Sequence, residues 1–326
     1  MKGSYHIIVQ NRALKYEFDI RRNLTIIQGD SATGKTTLVD MIRESHLDER
    51  SGVSVSCARS CRVIDGDLWR EQLTYIRDSI IFIDEGASFV STQEFASEVK
   101  KSSNYFVIVT RESLDMLPVS VEEVYGIKSS GKYSSLEPVY HEMYRIYNLD
   151  KELSSPVQAD RIVVEDSNSG YEFFNNVAQE NGLECMSAKG KAKIFNYLAD
   201  SHTDEEILVV ADGAAFASQM NRIVTFIGTR KIHLYLPESF EWLLLMSGII
   251  SDGNLKAILD NPSDYIESSS YFSWEQFFTA LIVQKTKDTY LQYNKKKLNS
   301  SYLQSGIKEK ILAQMKGINF QKSPRA

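Results

Sequence analysis

The chain has 326 residues, a length that suggests about two domains. A hydrophobic fraction of 43% with 25% charged residues is ordinary globular composition and excludes intrinsic disorder, and six prolines and 17 glycines exclude a collagen-like or Pro-rich linker protein. The net charge of −6 excludes a uniformly basic protein, yet residues 281–326 hold ten Lys/Arg against two Asp/Glu, a net of +8 that leaves −14 for the rest. A basic tail on an acidic body points to a polyanionic partner or to a solvated, Lys-rich face.

Met1 to Ile8 has neither the apolar core nor the cleavage site of a signal peptide. The best apolar run, Trp242 to Met246, ends at Ser247-Gly248, far short of the 18 or so residues that cross a bilayer. Three cysteines give no disulfide framework, and Cys57 and Cys61, spaced Cys-x3-Cys with no second pair nearby, read as ordinary buried thiols rather than zinc ligands. These features predict a cytoplasmic protein with no membrane partner.

In chain order, strands are predicted at Tyr5–Gln10 and Ala13–Ile20, separated by an Asn11-Arg12 turn, and at the wholly apolar Leu24–Ile27. A Gly-rich turn and a helix over Thr36–Arg43 follow, then buried strands at Ser79–Ile83 and Tyr105–Val109. Strands alternating with helices imply a parallel sheet covered on both faces. Residues 126–147 are Ser/Gly/Lys-rich and aperiodic, and 151–156 read as a linker. A second βα series comprises strands at Arg161–Val164, Leu183–Ser187, Glu206–Ala211 and Ile232–Leu236. Its helices are Gly170–Asn181, capped by Gly182, and Gly190–Ala199. Helical patterns dominate from Glu238 to about Met315, including an amphipathic stretch from Ser273. The expected organisation is an α/β domain over 1–150, a second over 157–250, and a helical, basic extension over 251–326.

Gly29-Asp30-Ser31-Ala32-Thr33-Gly34-Lys35-Thr36 is a full G-x-x-x-x-G-K-[ST] phosphate loop, set between an apolar strand and a helix. Its backbone N–H groups would surround phosphate oxygens, Lys35 would reach the outer phosphates and Thr36 would ligate Mg²⁺, with Thr37 completing the first helical turn. A metal-holding carboxylate is expected at the end of a buried strand, and Asp84 supplies it. Glu85 is placed to polarise a water, and Arg111, after the third strand, to stabilise charge on the outer phosphate.

These residues resemble the P-loop NTPases: Walker A at 29–36, Walker B at 80–85 and a sensor at 110–111. No Asn-Lys-x-Asp guanine motif is present, so the resemblance implies ATP. Neither a Leu-Ser-Gly-Gly-Gln signature nor room for a long helical insertion between Lys35 and Asp84 is found, which leaves the subfamily open.

In the second series Glu165, Asp212 and Glu241 each follow a strand or open the helix after one, so a parallel sheet could gather them in one crevice. Grouped carboxylates chelate Mg²⁺ or Mn²⁺ and so serve phosphoryl transfer; singly, each would cap a helix. Ile162-Val-Val-Glu165, Ser187-Ala-Lys-Gly190, Leu208-Val-Val-Ala-Asp212-Gly-Ala and Leu236-Pro-Glu-Ser-Phe-Glu241 together resemble a TOPRIM domain of the OLD-family (overcoming lysogenization defect) ATPase-nucleases. The resemblance implies that Glu165 is a general acid/base or metal ligand. It also exposes a departure: the second carboxylate of the family's Asp-x-Asp pair is Ala214, and Asp166 stands where glycine is usual.

In the tail, Tyr290, Tyr293, Lys295, Lys296, Lys297 and Tyr302 interleave aromatics with positive charge, as a nucleic-acid surface does. The leading expectation is a Mg²⁺-dependent ATPase coupled to a TOPRIM-like domain that binds or cleaves nucleic acid, as in bacterial anti-phage defence. It would act as a homo-oligomer or with a partner protein. One alternative is an ATP-driven switch with a degenerate second domain that binds a protein. Another is a small-molecule or nucleotide kinase, whose lid would have to come from Lys128 to Lys132.

Overall fold

The fully buried strands fall where aliphatic and aromatic side chains run together. The structure, a computed structural model, describes the whole chain except residues 31, 49, 130–138, 149–155, 202–203 and 322–326. It divides into two units, Met1–Asn148 with Asn261–Phe272, and Leu149–Asp260 with Ser273–Ala326. The tail is thus no third body. Its stretch Asn261–Phe272 is tied to the first unit, where Ser263 O accepts from Gly3 N (2.7 Å) and Phe272 O from Asn23 Nδ2 (3.0 Å). The remainder belongs to the second unit.

The first unit holds a nine-stranded sheet. Its strands are β1 (Tyr5–Gln10), β2 (Leu14–Ile20), β3 (Leu24–Ile27), β4 (Ser54–Ser56), β5 (Cys61–Val63), β6 (Ile80–Ile83), β7 (Tyr105–Val109), β8 (Val124–Ser129) and β9 (Val139–Arg145). They lie in the order β4-β1-β2-β9-β8-β3-β7-β6-β5. The half from β8 to β5 is parallel, with the wholly buried β3, β7 and β6 at its centre. The other half is not: β4–β1, β1–β2 and β8–β9 run antiparallel, so the sheet is mixed rather than parallel. The span 126–147, read as aperiodic, contributes β9 and most of β8. In β9 His141 faces inward while Tyr140 and Glu142 face out, a period of two that the polar composition conceals. Lys35–Leu47 forms the helix after β3 and buries Leu38, Val39, Met41 and Ile42 against Ile7, Val9, Ile80, Phe82, Val107 and Val109. Each such side chain contributes roughly 1.5–3 kcal/mol.

The second unit carries a four-stranded, all-parallel sheet. After the short β10 (Val157–Gln158), its strands are β11 (Arg161–Val164), β12 (Glu184–Ser187), β13 (Ile207–Val210) and β14 (Ile232–Tyr235), in the order β12-β11-β13-β14. A last strand, β15 (Ile318–Asn319), pairs with β10 alone. Because β12 lies on one side of β11 and β13 on the other, the order reverses between β11 and β13. Ligands of open α/β sheets bind beyond strand C-termini at such a point. The helix Ser169–Glu180 ends in a Schellman pattern, with Leu183 N donating to Ala178 O (2.9 Å), Gly182 N to Gln179 O (3.3 Å) and Gly182 at φ 66°.

The helical tail is interrupted. Helices run over Phe240–Met246, Leu255–Asp260, Trp274–Thr286 and Ser305–Leu312, but 287–299 folds as successive turns. Asp288 takes a left-handed φ of 58°, and Thr286 Oγ1 accepts from Tyr293 N (2.9 Å), folding the chain back on its own helix end. No described helix is long and apolar enough to cross a membrane.

Candidate functional site

Two clusters sit at strand C-termini, one in each unit. In the first, β3 and β7 are neighbours with Ile27 opposite Val109, and β6 follows with Ile83 opposite Ile108. The residues that leave these three strands therefore emerge side by side: the phosphate loop from β3, Thr110-Arg111 from β7, and Asp84-Glu85 from β6. Thr36 Oγ1 lies 3.3 Å from Asp84 Oδ1 although 48 residues separate them. Glu85 Oε1 pairs with Arg111 Nε at 2.7 Å, both groups reaching solvent. Thr110 is buried, its N–H donating to Ile27 O (3.1 Å) and its hydroxyl accepting from Glu112 N (3.0 Å), which stitches β7 to the base of the loop.

The loop itself turns through left-handed conformations at Gly29 (φ 130°), Ala32 (65°) and Gly34 (90°). At Gly34 space as well as φ demands glycine, since a Cβ would lie 2.7 Å from Tyr16 Oη and 3.1 Å from His141 Cε1. Lys35 is buried in the loop. Its Nζ donates to Gly29 O (2.9 Å), Asp30 O and Thr33 Oγ1 (3.1 Å), carbonyls and a hydroxyl that a phosphate would displace. Ser31 lies outside the described residues. The Thr37 hydroxyl is bonded to that of Tyr16.

Sequence reasoning missed the loop's backing. Tyr16 Oη donates to Gly34 O (2.9 Å), and the Tyr16 ring stacks on His141 with centroids 4.4 Å apart and planes 12° from parallel. Burial pushes the Tyr16 hydroxyl up to about 12, with the Thr37 bond opposing, and pushes the His141 imidazole down, so both stay neutral at pH 7. The available signal was alternation: Tyr16, Phe18 and Ile20 share the inward face of β2. A hydroxyl and a carboxylate presented together suit Mg²⁺, a hard cation that prefers oxygen.

The second cluster lies at the strand-order reversal. Glu165 follows β11 and Asp212 follows β13, and Glu165 Oε2 accepts from Asp212 N (3.0 Å). Asp212 Oδ1 accepts from Phe240 N (3.1 Å), which fixes the start of the helix carrying Glu241. The turn after Asp212 is pressed onto the end of β14: Gly213 N donates to Pro237 O (2.6 Å), and a Cβ at 213 would meet Leu236 O at 2.5 Å. Only glycine fits there. A small cavity opens beside the carboxylates, lined by Glu165, Asp166 and Asp212 together with Phe174, Phe240 and Leu243.

Glu241, 2% exposed, accepts from Tyr293 Oη (2.9 Å) and lies 3.5 Å from Lys295 Nζ. Lys295 also binds Glu275, in the first turn of Trp274–Thr286. Burial and then the Glu275 charge raise Glu165 to about 7, against the Asp212 N–H and Lys191, which favour its ionised form. Asp212 is raised well above its usual range by burial, then by Glu275, Glu165 and Glu241. Burial would lower Lys295, but Glu241 and Glu275 outweigh it and hold the ammonium charged.

Glu165, Asp212 and Glu241 thus share one electrostatic environment, and the structure adds Glu275 and Lys295 to them. Glu275 was hidden as an ordinary first-turn acid, 110 residues from Glu165 in sequence. Asp166 is differently employed: its Oδ1 accepts from Tyr171 N (2.8 Å), holding the start of Ser169–Glu180, and Gly170 keeps that approach open. Ala214 is buried and offers no second carboxylate. Among the described residues no three His, Cys, Asp or Glu side chains are grouped to hold a metal ion as they stand. The oxygen donors suit Mg²⁺ or Mn²⁺, with Lys295 as the cation now nearest Glu241.

The basic, aromatic run of the tail does not form one surface. Tyr293 and Tyr302 are buried edge-to-face (6.1 Å) and Lys295 turns to the carboxylates, leaving Tyr290, Lys296 and Lys297 outside. Lys128 pairs with Glu142 (3.0 Å), and the rest of the 128–132 segment is outside the described residues apart from Ser129. No protein-family model and no curated protein matches the chain.

Proposed function

We propose that the chain is a Mg²⁺-dependent ATPase whose nucleotide state governs a TOPRIM-like second unit acting on nucleic acid. The observation that carries this reading is the meeting of Thr36 and Asp84 at 3.3 Å beside a loop that turns through left-handed conformations at Gly29, Ala32 and Gly34, with Glu85 one residue further on. Thr36 and Asp84 would hold Mg²⁺, which would neutralise charge on the outer phosphates. Lys35 exchanges its loop carbonyls for phosphate oxygens, a charge-assisted gain. Arg111 is divided between Glu85 and incoming phosphate. As phosphate draws the guanidinium, the Glu85 carboxylate is released to accept a proton from the attacking water.

In the second unit Glu165, Asp212 and Glu241 would hold Mg²⁺ or Mn²⁺, which stabilises charge in phosphodiester cleavage. If Asp212 and Glu241 alone hold the cation, Glu165, raised to about 7 by burial, would be suited to accept or return a proton near neutrality. A second reading, a switch whose degenerate second unit binds a protein partner, is favoured by buried Ala214 and by the engagement of Asp166 in a helix start.

The test is ATP hydrolysis by the full chain with Mg²⁺, alone and with plasmid, single-stranded DNA or RNA. The Glu85→Gln variant should retain ATP binding and lose about 10²–10⁴-fold in kcat, the range for a positioned general base. Full turnover in that variant would remove Glu85 from the chemistry. Turnover with no effect of Glu165→Ala on any nucleic acid would favour the switch.

A further inference from the structure

We infer that Cys57 and Cys61 form a peroxide-reactive dithiol, with Cys57 the attacking thiol and Cys61 the resolving one. Cys57 lies just after β4 and Cys61 opens β5, at the opposite edge of the sheet order from β4, so the 57–61 loop is the covalent link between the two edges. Both sulfurs bond the same residue: Arg59 N donates to Cys57 Sγ (3.5 Å), and Cys61 Sγ reaches Arg59 O (4.0 Å). The two thiols lie close enough to influence each other. They also differ in access, Cys57 being half-buried and Cys61 2% exposed. Reactive thiols are those that are accessible, favoured as thiolates and adjacent to a second cysteine.

Electrostatics agree with that geometry. The Cys61 hydrogen bond, the backbone N–H groups of Arg59 and Ala58 and the nearby His6 bring Cys57 down to about 6 against its burial, so it is largely thiolate at pH 7. Charged groups about it are the Arg59 guanidinium, which lies over Tyr5 at 5.7 Å, and His6, itself paired to Asp19 and Glu17. Cys61 moves up through its bond to Cys57 and its burial, which keeps its proton until it is needed. Cys185, pushed up to about 12 by burial, is the internal control.

The chemistry balances with one hydroperoxide. The Cys57 thiolate attacks a peroxide oxygen; the S–O bond forms, the O–O bond breaks, and hydroxide leaves to be protonated to water. Cys61 sulfur, releasing its proton, then attacks Cys57 sulfur; the S–S bond forms, the S–O bond breaks, and the oxygen departs as a second water. Two thiols are oxidised and one peroxide is reduced. The anchor of β5 lies close by, where Ser60 O accepts from Ile80 N (2.8 Å) and His46, in the last turn of the phosphate-loop helix, contacts Cys61 O. The inference does not depend on the nucleotide reading.

The test treats the reduced full chain with stoichiometric hydrogen peroxide, blocks remaining thiols with N-ethylmaleimide and digests with trypsin. Cleavage after Arg59 separates the two cysteines, so the disulfide joins the peptides 51–59 and 60–62. That joined species is expected before any change at Cys185. In Cys61→Ser, dimedone should label Cys57, whereas Cys57→Ser should leave Cys61 unlabelled. Iodoacetamide at pH 7 should modify Cys57 at least about tenfold faster than Cys185, with a rate midpoint near pH 6. Oxidation of Cys185 at an equal rate, or free thiols at both 57 and 61 after peroxide, would overturn the inference.

Discussion

The two carboxylate clusters stand at equivalent places, beyond the C-terminal ends of parallel strands, yet they treat negative charge in opposite ways. Near the phosphate loop Asp84 meets a neutral hydroxyl and Glu85 an exposed guanidinium, so each has a partner that water or a ligand can replace. In the second unit Glu165 and Asp212 are gathered with Glu241 and Glu275, and the balancing charge is the half-buried Lys295. The first arrangement is ready to exchange partners. The second holds like charges together and needs a proton or a cation to do so.

The largest expected effect breaks the first cluster. Lys35→Ala removes the one ammonium inside the loop while leaving the hydrophobic core of its helix intact, so ATP affinity should fall by at least about 100-fold, consistent with the loss of charge-assisted bonds. Isothermal calorimetry with ATP and Mg²⁺ reads it directly, and unchanged affinity would dismiss the loop as the nucleotide site. In the second cluster Lys295→Met leaves the buried Glu241 without its ammonium. Breaking such a pair costs roughly 3 kcal/mol. Hydrogen exchange in β11 and β13 should accelerate accordingly at pH 8, and added Mn²⁺ should restore protection if the carboxylates accept a divalent cation.

These contrasts were unequally legible in the sequence. Leu24–Ile27, Tyr105–Val109 and Arg161–Val164 are dominated by aliphatic and aromatic side chains, so local composition alone places them. The motif residues Lys35, Thr36, Asp84 and Glu85 follow from the spacing of loop, helix and strand. What joins them to Tyr16 and His141 does not, because those residues come from β2 and β9, whose pairing is set by long-range register. The strand β9 itself was obscured by its many polar outward side chains. Glu275 was obscured for a further reason: a first-turn Glu has a complete local explanation, and only folding of the tail onto the second sheet brings it to Glu165, whereas the Lys-rich run already offered a lysine to the carboxylates and folding selects Lys295. The same folding removes Tyr293 and Tyr302 from the surface that alternation of Tyr and Lys suggests.

A pH series sharpens the comparison, because Glu165 is raised from about 4.5 to about 7 in the folded chain. Between those values the folded state holds a proton that the unfolded state has released, so stability falls as pH rises through that window and levels off above it. Glu165→Gln, which cannot ionise, should therefore gain on the order of 2 kcal/mol relative to the parent at pH 8 in chelator and nothing at pH 5. The measurement is the protection of β11 amides at both pH values. A gain of equal size at both would mean that packing, not charge, governs the site.

The smallest effect belongs to Arg111. Its pair with Glu85 is solvent-exposed, so Arg111→Ala should change stability by less than about 1 kcal/mol. Its effect on turnover should be larger than its effect on folding, because the guanidinium is needed only when phosphate charge develops beside Glu85. Retaining the charge without the planar fork, as in Arg111→Lys, should restore part of kcat while leaving KM near the parent value. If instead Arg111→Ala raises KM and leaves kcat unchanged, the residue merely attracts nucleotide, and the division of its guanidinium between Glu85 and phosphate plays no part in the reaction.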